Sequence, residues 1–385
     1  MKITRVETIP LKVPLVKPML MGGVRYETAE TVLLRVETDG HVVGWGEASV
    51  APTLTGETAA SILAVIPVLA EQVAGLDPRD LGAISRRLRR AVYGNTAAKA
   101  AFDMALHDIV GRSIGWSVAR LLGGSKAESL NCLWLVGNSD PDRDIVETEQ
   151  KAGEGFQCFK LKVANGDLEA ESQTLRTMRS RFGGKVLLCA DANTNWTPQE
   201  AIRFVQSVES CAPSFLEQPV ASDDQRGMRR VACASRVPIG ADESLHDING
   251  MLHMLESGIA AGGSFKIMKF EGIAHCFEAI QMCRAMGGNV NLSGKLGETS
   301  IANAATLAMA SAFGAPSWGL SLTNHYLAND VVRDPIRIRG GIVRTMDQPG
   351  LGIEVNEKDL AKYEFWPAAQ GRGQQRMEKA FAPTP

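Results

Sequence analysis

The 385-residue sequence predicts an α/β fold in two parts, an α+β module followed by a parallel βα barrel. Three observations carry this reading. Asp191, Glu217 and Asp242 each close a short apolar run, and they stand 26 and 25 residues apart. Apolar runs begin near residues 131, 158, 186, 214, 237, 264, 289 and 317, eight strand starts with helical stretches between them. A strand, a return helix and two loops take roughly 25 to 30 residues, the period of consecutive βα units. The chain is also too long for one typical compact domain, yet it fits a barrel of roughly 250 residues plus a second module.

The elements follow in order. Residues up to about 55 read as antiparallel strands: 31–38 are rich in β-branched side chains and end at Asp39-Gly40, a hairpin signal, and 42–47 return. From Thr58 the pattern becomes helical, with Ile62, Val65, Ile66 and Leu69 on one stripe. A second helix is expected over about 97–112, carrying Ala100, Ala101, Met104, Ala105 and Asp108, and Leu121-Leu122-Gly123-Gly124 ends the helical region. The first module is therefore placed at 1–125 and the barrel at 126–355, with about 356–385 returning to complete the first module. Within the barrel, helices are expected over 198–209 and 273–286. The stretch 337–343 and the segment after it are expected to leave the barrel and pack on the first module.

Composition excludes several classes. A hydrophobic content of 45% supports a large core, while a net charge of −2 without basic runs argues against nucleic acid. No stretch approaches 18 uninterrupted apolar residues, and the first seven residues alternate like a strand, so neither a membrane span nor a signal peptide is expected. Seven scattered cysteines without a C-x-x-C pair read as buried thiols of a reducing cytoplasm.

In a parallel barrel all strands point the same way, so three strand-end acids converge on one face. One such Asp alone would read as a helix N-cap. Three gathered carboxylates repel unless a cation neutralises them, and hard oxygen ligands suit Mg²⁺. Lysines flank the trio in register. Lys160 and Lys162 lie one repeat upstream, two apart on a strand and so on one face about 6.6 Å apart. Lys266 lies 24 residues after Asp242, one repeat downstream. Ammonium groups on opposite sides of a metal suit taking a proton from one face of a carbon and delivering one to the other. A proton α to a carboxylate is very weakly acidic, and positive charge at the carboxylate oxygens stabilises the anion that forms.

These residues resemble the enolase superfamily, specifically its muconate lactonizing enzyme subgroup. The likeness spans nearly the whole chain. It includes Gly44-Trp45-Gly46-Glu47-Ala48, the stretch Lys99-Ala100-Ala101-Phe102-Asp103-Met104-Ala105-Leu106-His107-Asp108, Lys160-Leu161-Lys162, Asp191-Ala192-Asn193, Glu217-Gln218-Pro219, Ala241-Asp242-Glu243-Ser244, Lys266 and Pro349-Gly350-Leu351-Gly352-Ile353. Thr53-Leu54-Thr55-Gly56-Glu57 and Lys266-Ile267-Met268-Lys269 are similar to dipeptide epimerases in particular. The resemblance implies an α+β capping domain on a modified (β/α)₇β TIM barrel, with one Mg²⁺ on Asp191, Glu217 and Asp242. It implies Lys162 and Lys266 as opposed acid/base groups, with a small-molecule carboxylate substrate passing through an enediolate. Lys160 would neutralise the substrate carboxylate and help lower the pKa of Lys162, and Asn193 would be a nearby polar contact. A homo-oligomer, from dimer to octamer, is expected as well.

Departures from the subgroup bear on the substrate. The Asp-x-Asp with which dipeptide epimerases hold an ammonium group is absent from Gly319-Leu320-Ser321-Leu322-Thr323-Asn324, which leaves Ser321 and Thr323 as the polar contacts. A Gly-Gly pair after the sixth strand is Glu271-Gly272 here. Lys295 reads either as a solvated loop residue or as a second anionic anchor, and Glu298 as a brace of the metal shell or a loop, ahead of a group that binds or reacts with substrate. His107 is expected to be structural and His325 to sit in a loop. Specificity is assigned to loops at 18–26 and 50–57, where Met19, Leu20, Met21 and Leu54 hint at a partly apolar substrate and Arg25 at a distal anion. A racemase or epimerase of a small carboxylate or N-substituted amino acid is favoured because both lysines are present. The competing readings are a cycloisomerase or dehydratase using the same enolate, and a non-catalytic binding barrel.

Overall fold

The computed structural model describes residues 1–21, 24–367 and 378–380. Three antiparallel strands, β1 (Ile3–Met21), β2 (Val24–Thr38) and β3 (Val43–Ser49), open the chain, followed by α1 (Ala59–Val73), α2 (Leu81–Ala91) and α3 (Thr96–Ile114). Thr58 opens α1 with a reciprocal cap: its hydroxyl accepts from the Ser61 N–H at 3.2 Å, and Ser61 Oγ accepts from the Thr58 N–H at 2.9 Å. Helix α3 lies directly on β3 because Gly44 and Gly46 present no Cβ. A methyl group at Gly46 would overlap the Ala101 carbonyl, and one at Gly44 would overlap that of Ala105.

Short α4 (Val118–Leu121) and β4 (Ser129–Asn131) lead into the barrel. Its strands are β5 (Leu133–Val136), β6 (Cys158–Lys162), β7 (Leu187–Asp191), β8 (Leu216–Glu217), β9 (Ile239–Ala241), β10 (Gly262–Phe265), β11 (Asn289–Ser293) and β12 (Leu320–Ser321). Between them run α5 (Pro141–Gly153), α6 (Leu168–Phe182), α7 (Pro198–Val208), α8 (Gln225–Cys233), α9 (Ile248–Glu256), α10 (Ile273–Ala285) and α11 (Ser300–Phe313). This is a (β/α)₇β barrel. The strands pair in chain order, and the ring closes where Cys132 bridges Leu320. Every expected strand start falls within three residues of an observed strand, because each apolar run is buried on both faces and ends at a turn.

The segment after the barrel differs from expectation. Strand β13 (Ile342–Arg344) pairs with β4, and the Cys132 N–H donates to Gly341 O at 2.8 Å, so this stretch covers the strand edge beside the start of β5. The chain reaches the first module only later. Leu351 N–H donates to Asp108 at 2.9 Å and, after α12 (Glu357–Leu360), Phe365 N–H donates to Pro10 O at 3.1 Å. Strand β14 (Glu378–Ala380) then pairs with β1. Much of the expected returning segment, 368–377 and 381–385, lies outside the described residues.

Buried carboxylates lock the module onto the barrel. Glu47 of β3 accepts from the Thr299 N–H at 2.9 Å, the Thr299 hydroxyl at 2.6 Å and the Ala302 N–H at 3.1 Å, at the start of α11. Asp103 of α3 accepts from the Ile273 N–H at 2.6 Å and serves α10, whose own N-cap is Gly272. Unpaired helix N–H groups and the positive end of the helix favour an anion at both places. Glu271, where a Gly-Gly pair would have a glycine, takes a left-handed φ of 61° and is held by ion pairs with Lys99 at 2.8 Å and Arg89 at 2.7 Å. All seven cysteines are free, but Cys233 is exposed at the end of α8 instead of buried. No helix among the described residues is long and apolar enough to cross a membrane.

Packing of α3 on β3 predicts the effect of one methyl group. Gly46→Ala should destabilise the protein by about 3 kcal/mol or more, because the obstacle is backbone that cannot rotate away. Urea denaturation would measure this as a lowered midpoint.

Candidate active site

A cavity of about 200 Å³ opens at the C-terminal ends of the barrel strands, under the β1–β2 hairpin and the loop around Leu54. Asp191 and Glu217 are opposed in the β7–β8 ladder, and Asp242 follows β9 directly; the three are 2%, 1% and 2% exposed. Each is held by an ammonium group. Lys162 Nζ donates to Asp191 at 2.5 Å and to Asn193 Oδ1 at 2.8 Å, Lys160 pairs with Glu217, and Lys266 pairs with Asp242. Lys160 and Lys162 share the inner face of β6, as their spacing requires.

Several residues of the site were not singled out from the sequence. Lys269 is fully buried behind Asp242, donating to its carboxylate and to its carbonyl at 2.7 Å each and to Ser264 O at 2.8 Å. Its signal was the position three residues after Lys266, which returns it across a turn closed by the Lys269 N–H to Lys266 O bond of 3.0 Å. Ser264 donates to Glu217, and Asn291 takes part through contacts with Lys160 at 3.3 Å and Ser264 at 3.0 Å. Gln218 accepts from the Asp242 N–H at 3.0 Å and the Ser244 hydroxyl at 2.8 Å, which fixes the turn after β9. Glu243 lines the cavity and accepts from Asn193 Nδ2 at 3.0 Å, and its adjacency to Asp242 was the available clue.

The electrostatics follow from burial. Desolvation, then the charge of Asp191, pushes the Glu217 carboxyl above its ordinary range. Burial opposes ionisation of Asp242, but Lys266 and Lys269 outweigh it and hold this carboxyl well below its usual value. Glu243 is pushed up to about 7 by burial and the charges of Asp242 and Asp191. Burial works to lower the pKa of Lys266, yet Asp242, Glu243 and Glu217 raise it, and the carboxylates around Lys160 do the same there. Lys266 and Lys160 therefore hold their protons more tightly, because each sits against a carboxylate.

Among the described residues no three His, Cys, Asp or Glu side chains are gathered into a metal cluster, since lysines and hydroxyls hold the acids. The donor set itself fits a hard divalent cation. Three oxygen-only side chains from consecutive strands line one cavity, and burial and the charge of Asp191 disfavour ionisation of Glu217, a cost that a bound cation would relieve.

The structure separates the remaining candidates. Asn193, Lys295, Ser321, Thr323 and Leu54 line the cavity. Arg25 does not: Val24 and Tyr26 face inward, so the residue between them points to solvent, where it is 67% exposed and pairs with Glu27 at 3.1 Å. Residues 18–21 and 24–26 belong to β1 and β2 and form no loop, and Met19 is core. Glu298 lies buried behind the wall and accepts from Ser49 Oγ at 2.7 Å, a brace between the module and the barrel. His107 is buried on Asp103 O at 2.8 Å, and His325 stacks on Trp134 away from the cavity, with ring centroids 5.1 Å apart.

The comparisons with known proteins agree with this architecture. Residues 3–123 match the model of the mandelate racemase / muconate lactonizing enzyme N-terminal domain, and 144–359 match the enolase C-terminal domain-like model. The chain is 31% identical to the L-Ala-D/L-Glu epimerase of Bacillus subtilis over 360 residues, covering 92% of this chain and 97% of that one. It is 28% identical to muconate cycloisomerase 1-2 of Acinetobacter lwoffii, over 92% of this chain and 93% of that one. A dipeptide epimerase from Cytophaga hutchinsonii, complexed with Mg and the dipeptide D-Ala-L-Val, superposes with a TM-score of 0.87 at 25% identity, covering 94% of this chain and 99% of that one. The chain belongs to the mandelate racemase / muconate lactonizing enzyme family of the enolase superfamily. It is an enzyme of the isomerase kind found there.

Glu298 predicts a pH effect on stability. Burial, then the charge of Glu47, pushes its carboxyl from 4.5 up to about 7. The folded protein therefore binds this proton more tightly than the unfolded chain, and stability falls as pH rises through that window. Glu298→Gln removes the dependence. Its stability relative to wild type should rise by about 2–3 kcal/mol between pH 4.5 and pH 8, read from urea denaturation at the two values.

Proposed function

We propose that the protein is a Mg²⁺-dependent racemase or epimerase that removes and returns the α-proton of a small carboxylate or N-substituted amino acid through an enediolate. The observation that carries this reading is the placement of Lys162 and Lys266. They line the same cavity from β6 and from the end of β10, with three strands between them that carry Asp191, Glu217 and Asp242.

Asp191, Glu217 and Asp242 would hold the ion. When bound, it supplies positive charge where negative charge develops on the substrate carboxylate. Lys160 adds a second positive charge beside those oxygens. Lys162 serves one face of the α-carbon, steadied by Asn193, and Lys266 serves the other. With Asp242 and Glu217 committed to a divalent cation, Lys266 loses two of the charges that raise its pKa and keeps that of Glu243. Burial then favours its free amine, the form that accepts a proton. The cavity walls keep bulk water from the reacting carbon. Assembly as a homo-oligomer in the cytoplasm belongs to the same proposal, with at least a dimer expected by light scattering.

Stereospecific exchange in D₂O tests the two-lysine arrangement. Lys162→Ala should lose α-proton exchange from one enantiomer by about 10²-fold or more while retaining it from the other. Lys266→Ala should show the opposite preference, and neither variant should racemise. The similarity to a muconate cycloisomerase supports a second reading, in which Lys162 alone moves the proton. Turnover nearly unchanged in Lys266→Ala would select that one-base reaction.

A further inference from the structure

The cavity wall opposite the acids carries polar groups that the proposed proton transfer leaves unused. Lys160, Lys162 and Lys266 are each paired with a carboxylate, but Lys295 lines the cavity with no hydrogen bond or ion pair to its ammonium group among the described residues. Its backbone is nonetheless fixed, because its carbonyl accepts from Thr323 Oγ1 at 2.7 Å and from the Glu298 N–H at 3.2 Å. Gly294 lets the turn pack tightly, since a Cβ there would meet Glu298 Oε2 at 2.5 Å.

Two hydroxyls accompany this lysine. Ser293 and Ser321 are partners in the β11–β12 ladder, each is 4% exposed and lines the cavity, and neither Oγ has a hydrogen-bond partner among the described residues. Buried hydroxyls without partners carry a cost that a bound acceptor removes. Among the described residues no acid lines this wall: the carboxylates lining the cavity are Asp191, Glu217, Asp242 and Glu243, from the opposite side. Of the four lysines that line the cavity, Lys295 is the one without a carboxylate partner among the described residues. Burial lowers its pKa, with Glu298 and Glu47 opposing, as expected of an ammonium group short of a counter-charge.

We propose that Lys295, with Ser293 and Ser321, anchors a second carboxylate of the substrate, so that the enzyme acts on dianionic acids whose far end carries a negative charge. The inference rests on the proposed reaction only for the position of the first carboxylate. A carboxylate accepts several hydrogen bonds and carries the single charge that the wall lacks. An ammonium group on this wall would face the Lys295 cation with no lining carboxylate to offset it.

Binding to the full chain with Mg²⁺ tests the anchor independently of turnover. The probes are N-succinyl-L-alanine and its analogue methylated on the distal carboxyl, titrated calorimetrically. Wild type should bind the diacid at least about tenfold tighter than the ester. Lys295→Met should abolish that preference with little change for the ester, Lys295→Arg should keep it, and Ser321→Ala should weaken it in part. A wild type that binds both probes equally or neither one, or a Lys295→Met variant that still prefers the diacid, overturns the proposal. α-Proton exchange in D₂O, run in parallel with both probes, reports on the reaction separately. Absence of exchange beside an intact diacid preference would reject the racemase reading and leave the anchor standing.

Discussion

Charge buried at neighbouring strand ends is the constraint on which the rest of this molecule depends. Asp191, Glu217 and Asp242 are almost wholly removed from water, where an unpaired carboxylate costs several kcal/mol. The protein meets that cost with lysines on the flanking strands. The barrel's parallel direction makes the arrangement possible, because consecutive strands deliver their last side chains to one rim. A buried lysine against a buried acid is a weak source of stability, since desolvation offsets most of the attraction. What it provides is a site whose charges a bound cation would redistribute.

The same economy joins the two parts of the chain. Glu47 and Asp103 leave the N-terminal module to sit at the starts of α11 and α10, so the helices around the rim are closed by groups from outside the barrel. Asp108 links three elements in the same way. It accepts from the Trp45 N–H at 3.1 Å, the Leu351 N–H at 2.9 Å and Arg112 at 2.9 Å. The module is thereby held over the strand ends, where Leu54, Val24 and Tyr26 form the outer wall of the cavity.

Most of the barrel was legible because its signal is periodic. Buried strands at a repeating interval, each closed by an acid or a lysine, leave little freedom in topology, and the spacing of Lys160 and Lys162 settles their common face. The N-terminal motifs were legible as a likeness but not as physics: only the structure shows that Gly46 makes room for Ala101, or that Glu47 caps a helix some 250 residues away. Arg25 stands away from the cavity because residues read as a loop form a strand, and alternation along β2 turns it to solvent. Lys269 and Glu243 were missed because they lie beyond the strand ends, where turn geometry and not period decides direction. The route of 337–344 was missed for a related reason, since nothing local in that stretch shows that β4 needs an edge partner.

The central claim is that the three carboxylates form one divalent-cation site. Calorimetric titration of the protein with Mg²⁺, beside Glu217→Gln with its fold checked by circular dichroism, tests this most directly. One ion per wild-type chain is expected, with loss of that binding in the variant, whose fold persists. Binding of Mg²⁺ that is unchanged in Glu217→Gln, or absent from the wild type, would contradict it.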